Sequence, residues 1–198
     1  MDYIAIIGDG FSVGSKGSGG DPDAWPSLIR PLLQRQGHVI QANTSAASTY
    51  GYIPRGPEGR KFHDIAPRVV GKNTDVVVLF GASRDKTMLP DGARLASLVS
   101  LTMQRVQHIA PDARLLVIGP AVMGPQPPDD VMQVRDIVRE QALAYGATFV
   151  DPLAEGWFTS QELANDKGRP NPAGQILLAE KIAPLIAEQL AGAPAPPS

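Results

Sequence analysis

Five short apolar runs spaced along the chain fix most of what it can fold into. They are Tyr3-Ile4-Ala5-Ile6-Ile7, Val39 to Ala42, Asp75 to Phe80, Arg114 to Ile118 and Thr148-Phe149-Val150. Each is too short for a buried helix and too continuously apolar for a strand with one wet face, so each predicts a strand covered on both sides. Helical patterns lie between them. Leu95, Leu98, Thr102, Val106 and Ile109 share one face, as do Val131, Val134, Val138 and Tyr145. Asn171-Pro172 reads as a helix start, a capping side chain followed by proline in the first turn, for a helix running to about Leu190. Strands alternating with helices mean a parallel sheet covered on both faces. The expectation is an α/β fold, a flavodoxin-like three-layer α/β/α sandwich with a five-stranded parallel sheet. One domain spans 1–190, and 191–198 forms a flexible Ala/Pro-rich tail.

A chain of 198 residues is long enough for one such core. Its net charge of -2, without a basic stretch, gives no electrostatic reason to expect nucleic acid or an anionic membrane as partner. No apolar run approaches the length of a transmembrane helix. Met1-Asp2-Tyr3 leads into a strand without a basic n-region, so no signal peptide is expected, and the location expected is cytoplasmic or virion-associated. Cysteine is absent, which excludes disulfides and thiolate metal sites. No metal and no other cofactor is expected.

In a doubly wound sheet, function collects beyond the carboxyl ends of the strands. Gly8 to Gly20, Asn43 to Arg60, Gly81 to Pro90 and Pro152 to Pro170 lie at that edge. Gly8-Asp9-Gly10-Phe11-Ser12 and Asp166-Lys167-Gly168-Arg169-Pro170-Asn171-Pro172-Ala173-Gly174 resemble the first and last signature blocks of the SGNH (GDSL-type) hydrolases, G-D-S and D-x-x-H-P-N. The second block resembles Asn43 to Tyr52, and the third, G-x-N-D, resembles Ala82-Ser83-Arg84-Asp85. The resemblance runs in order from Tyr3 to Leu190. It implies the same sandwich fold, and active members remove acyl or acetyl groups from lipids, polysaccharides and cell-wall polymers.

The resemblance also locates what is missing. Gly8 and Asp9 match, but Gly10 holds the nucleophile position and offers no Oγ. The glycine whose backbone N–H helps hold the oxyanion falls on Ser48, with Gly51 the other register; a backbone donor survives that change. The asparagine of the third block becomes Arg84, or Gly81 serves as its glycine in a register shifted by one. Asp166 matches the residue that orients the catalytic histidine, while Arg169 replaces the histidine itself. A guanidinium cannot accept a proton at neutral pH.

Gly10, Ser48, Arg84, Asp9, Asp166 and Arg169 are therefore expected to converge on one cleft. Arg169 precedes a helix N-terminus, where the dipole opposes a cation, so it calls for an ion pair with Asp166 or Asp9, or for a bound anion. The sequence points to a degenerate, non-catalytic family member serving as a binding or structural module. Its ligand would be a small anion, a carbohydrate or an acyl ester; a protein assembly partner, as in a phage tail, fits equally. The rival is an active esterase with relocated residues, Ser12 as nucleophile and His63, read as a loop histidine, as base. Trp157 and Phe158 either cover the sheet end or wall the cleft, and Tyr50 and Tyr52 are similarly placed. The glycines from Gly8 to Gly14 match neither a dinucleotide fingerprint nor a P-loop.

Overall fold

In a computed structural model, residues 1–53 and 59–192 of the chain are described. Strands β1 (Asp2–Gly8), β2 (Ile40–Ala46), β3 (Val76–Phe80), β4 (Arg114–Ile118) and β5 (Thr148–Val150) form one all-parallel sheet in the order β2-β1-β3-β4-β5. Five helices connect and cover it: α1 (Trp25–Arg35), α2 (Phe62–Val69), α3 (Gly92–Ile109), α4 (Asp129–Ala144) and α5 (Pro172–Ala191). This is the expected doubly wound α/β sandwich.

Alternation along the strands sorts the two layers. Ile4 and Ile6 of β1, Val76 and Val78 of β3 and Leu116 of β4 pack on Trp25, Ile29 and Leu33 of α1 and on Leu178 and Ile182 of α5. Ala5, Ile7, Val77, Leu79 and Val117 face the other way, onto Phe62 and Ile65 of α2, Leu95 and Val106 of α3 and Val134 and Val138 of α4. Each such fully buried side chain larger than alanine contributes about 1.5–3 kcal/mol of transfer free energy, which is what holds helices on both faces.

The strand order places the functional edge. From β1 the chain crosses to β2 on one side, then returns past β1 to β3 on the other. The crossovers diverge at β1 and β3, and the crevice beyond their carboxyl ends is open to a ligand. The first and third signature blocks leave the sheet there, after Gly8 and after Phe80.

Several local expectations are corrected. The second strand runs to Ala46 rather than Ala42, so part of the segment read as loop is sheet. Two helices were not legible. Prolines obscure both: α1 carries Pro26 in its first turn and Pro31 inside, and α2 carries Pro67. The last helix ends at Ala191, with Gly192 as its cap, one residue into the expected tail; residues 193–198 lie outside the described residues.

Candidate functional site

The first block is a tight turn on the end of β1. The Asp9 amide donates to Phe80 O (3.0 Å), tying the turn to β3, and the Asp9 carboxylate accepts from the Phe11 amide (2.9 Å). Gly10 to Ser12 form a single 3-10 turn, closed by Ser12 N donating to Asp9 O (3.0 Å). Gln175 of α5 fastens this turn from across the molecule. Its Nε2 donates to Phe11 O (3.3 Å) and Val13 O (2.9 Å), and its Oε1 accepts from the Trp25 amide (2.8 Å).

What surrounds Gly10 gives the site its character. A Cβ built there would stand 3.3 Å from Cδ of Arg169 and 3.5 Å from Cα of Ser48. The side-chain direction of the nucleophile position thus points at the residue in the histidine position, and the second-block turn lies beside both. Ser48 is the neighbour of Gly10; Gly51 packs instead on Asp85, whose Oδ1 lies 2.8 Å from a Cβ built on that glycine. The amides of Gly10 and Ser48 donate to no protein acceptor among the described residues.

The third block turns sharply after β3. Ala82 has φ 94°, a left-handed value that disfavours any side chain, and it occupies the position where the family pattern has glycine. Gly81 lies so close to the first block that a Cβ on it would meet Asp9 Cγ at 3.0 Å. Asp85 is buried and accepts from the amides of Tyr52 (3.1 Å) and Ile53 (3.2 Å), so it holds the second-block loop in place. In the fourth block Asn165 organises the turn: its Oδ1 accepts from the amides of Lys167 (2.9 Å) and Arg169 (3.1 Å), and its own amide donates to Arg169 O (2.8 Å). Asn171 caps α5 as expected, its Oδ1 accepting from Gly174 N (3.0 Å).

Charge is unevenly settled here. Asp9 is 5% exposed, and burial pushes its carboxyl up to about 6. The hydrogen bond from Phe11, the Arg84 charge, a hydrogen bond from Ala82 and the Arg169 charge pull it the other way but do not prevail. Both guanidinium groups therefore act on the Asp9 carboxyl, yet neither forms an ion pair among the described residues. The pair expected between Arg169 and Asp166 or Asp9 is not made. Asp166 is exposed in its turn, and Arg169 Nε is shielded from solvent with no hydrogen-bond partner among the described residues.

The remaining candidates are placed elsewhere. Ser12 is fully buried, and its Oγ accepts from Trp25 Nε1 (3.1 Å) on the α1/α5 side of the sheet. His63 is not a solvated loop residue: it is 6% exposed in α2, on the opposite side, with Nε2 3.4 Å from Asp64 Oδ1. Burial lowers its pKa, with Asp64 acting against that shift. The sheet stands between Ser12 and His63, so no proton passes directly from one to the other. Trp157 is 3% exposed, its Nε1 donating to Glu155 Oε2 (2.7 Å), and Phe158 packs edge-on against Phe11 with ring centroids 5.4 Å apart. Both cover the sheet end and neither walls the cleft. Tyr52 is buried against Phe62, and Tyr50 is half-buried beside it. Gln175 and Asp85 were not recognised as organisers of the site, because nothing in a helical glutamine or a loop aspartate announces the distant amides it serves.

Two clefts flank the blocks. One, of 340 Å³, lies between the first-block loop and the fourth-block turn and is polar, lined by Lys16, Asp23, Asp166, Lys167 and Arg169 among others. The other, of 260 Å³, has Phe11, Ala121, Met123 and Val131 in its walls, with Arg84, Lys86 and Gly168 around it. Among the described residues no group of histidine, aspartate and glutamate side chains is arranged to hold a metal ion.

Known proteins place this arrangement. Residues 6–176 match the GDSL-like Lipase/Acylhydrolase family. The chain is 38% identical over 199 residues to the protein named GDSL lipase Rv0518 of Mycobacterium tuberculosis, covering 97% of this chain and 86% of that one. Among solved structures it superposes on TesA with a TM-score of 0.75 at 18% identity, over 95% of this chain and 99% of the other. It also superposes on a family two carbohydrate esterase from Clostridium thermocellum, solved in complex with cellohexaose, with a TM-score of 0.73 at 17% identity, over 96% of this chain and 65% of that one. With the sheet order, the four blocks and the family match in agreement, the chain belongs to the GDSL-like lipase/acylhydrolase family.

Proposed function

We propose that this chain is a family member without serine-hydrolase chemistry, and that its former catalytic crevice binds an anionic ligand. The observation that carries the reading is the pairing at the heart of the crevice. Gly10 supplies no nucleophilic atom, and the stem of Arg169 lies 3.3 Å from where its side chain would begin. A guanidinium at that position donates hydrogen bonds and holds a fixed charge, but it neither takes nor returns a proton. Arg84 brings a second fixed charge where the family pattern places a neutral donor.

Two cations that form no ion pair among the described residues, beside a buried acid that is half neutral near pH 6, favour a ligand that arrives with negative charge. The amides of Gly10 and Ser48, which donate to no protein acceptor among the described residues, add donors on the same side. Carbohydrate or acyl groups attached to such an anion would extend into the flanking clefts.

The test pairs hydrolysis with binding. Purified protein and a Ser12→Ala variant are assayed with p-nitrophenyl acetate, and wild type is titrated with sulfate and acetate by calorimetry. The reading expects no turnover above background in either protein and saturable anion binding that Arg169→Ala abolishes. Turnover in wild type that Ser12→Ala removes would instead establish an esterase with a relocated nucleophile. The positions of Ser12 and His63 speak against that outcome.

A further inference from the structure

Resting on the anion-binding reading above, we propose that the crevice takes up a proton from solvent together with its anion, and that the Asp9 carboxylate receives it. Asp9 carries the site's own negative charge, and an arriving anion replaces that charge.

Placement makes the two charges rivals. The Asp9 carboxyl is enclosed by the blocks that form the crevice. Phe11 of the first block donates to it at 2.9 Å, and a Cβ on Gly81 of the third would stand 3.0 Å from its Cγ. The next residue along the chain, Gly10, has an amide that donates to no protein acceptor among the described residues. Arg169 approaches the same residue, its Cδ 3.3 Å from a Cβ built on Gly10. Its Nε is shielded from solvent and has no hydrogen-bond partner among the described residues. An anion held by these donors lies within one residue of the Asp9 side chain. Asp9 is 5% exposed, so little water screens one negative charge from the other.

The groups that face Asp9 leave it to respond. Arg84 and Arg169 favour its charged form, and neither gives up its own charge in the neutral range. Tyr52 of the second block is buried; burial and the charges of Asp85 and Asp9 raise its hydroxyl, so it stays neutral. Asp85 is tied to the same loop, accepting from the amides of Tyr52 (3.1 Å) and Ile53 (3.2 Å). With burial holding the Asp9 carboxyl at about 6, a modest further push decides its state near neutrality. A bound anion pushes twice. Its charge repels the carboxylate, and it engages the two guanidinium groups that favour that carboxylate. Asp9 then stays protonated at a pH where the ligand-free protein ionises it, and the site binds anions more tightly as pH falls toward 6.

The test is calorimetric titration of the intact protein with sulfate, whose own charge is constant from pH 5 to pH 8, in two buffers of different ionisation enthalpy. Binding at pH 7 is expected to draw about half a proton or more per sulfate from the buffer. Affinity is expected to fall about tenfold from pH 6 to pH 8. Asp9→Asn should lose the uptake and, at pH 8, bind sulfate about tenfold tighter than wild type, a gain that a damaged fold does not produce. Asp166→Asn, which removes the exposed carboxylate of the fourth-block turn, should keep the wild-type uptake. If sulfate binds without drawing protons at pH 7, or if Asp9→Asn keeps the wild-type pH dependence, the role of Asp9 is overturned while the anion site stands. Uptake lost in Asp166→Asn would overturn it as well, by moving the proton to the exposed turn. If sulfate binds at no pH, this inference and the function it rests on fall together.

Discussion

Replacing Asp9 by asparagine should stabilise the protein at alkaline pH and not at acid pH. The carboxyl is pushed from 3.8 to about 6 by burial, so the folded state holds its proton where the unfolded state has lost it. Between those two values the unfolded chain binds fewer protons, and stability therefore falls as pH rises. Above pH 6 the full penalty applies, 6 minus 3.8 pH units at 1.36 kcal/mol each, about 3 kcal/mol. At pH 4 it is below about 1 kcal/mol. Asparagine is neutral throughout, and its Oδ1 can still accept from Phe11. It loses an acceptor for Ala82, a cost of about 1 kcal/mol. The expected balance is a gain of about 2 kcal/mol for Asp9→Asn at pH 8, turning to near zero or a small loss at pH 4. Urea unfolding of both proteins at pH 4, 6 and 8 measures the difference directly, and other titrating groups cancel in the comparison. A difference between the two proteins that stays constant across this range would refute the burial argument.

Three further outcomes are expected. Restoring the family residues in the triple variant Gly10→Ser, Arg84→Asn, Arg169→His should create p-nitrophenyl acetate turnover roughly a hundredfold or more above wild type, because a side chain at position 10 points at position 169. Turnover that persists when position 10 is alanine in that background would show another nucleophile. Ala82→Gly should leave Tm within about 2 °C of wild type, since relief of a φ of 94° offsets a lost buried methyl and added chain freedom. Ala5→Gly, buried in β1, should lower Tm by about 5 °C. Gln175→Leu leaves the Trp25 amide and the Phe11 and Val13 carbonyls without their partner, and should lower Tm by about 10 °C; a fall under 2 °C would mean that water replaces it.

The fold was legible because its three central strands are buried on both faces, although the edge strands β2 and β5 are only partly covered. Runs such as Val76 to Phe80 can sit almost nowhere else, and their number and spacing already imply the crossovers. The blocks at the strand ends were legible for a related reason: Asp9, Asn171 and the turn at Gly168 act on backbone within a few residues, so local spacing carries their roles. What escaped was non-local. Helices α1 and α2 form in spite of their prolines because Trp25, Ile29, Phe62 and Ile65 find the sheet, and no periodicity argument weighs that contact. His63 looks like a loop residue until α2 buries it. Trp157 looks like a ligand platform until the sheet end claims it. Arg169 was expected to pair with Asp166 or Asp9 or to hold an anion, but Asp166 turns to solvent on the exposed loop and no ion pair joins Arg169 to Asp9 among the described residues.

Gln175 has a bearing on how the protein is made. Its three partners lie 150, 162 and 164 residues earlier in the chain. During synthesis the first turn leaves the ribosome long before the glutamine that locks it, so Phe11 and Val13 wait with open carbonyls while the sheet assembles. The crevice is thus among the last features to set, and only after α5 docks. A nascent chain halted before α5 would hold the strands of the sheet but no ordered pocket. Such a chain would expose the part of the sheet that α5 covers, including Val76 and Val78 of β3 and Leu116 of β4, to whatever chaperone or aggregate it meets first.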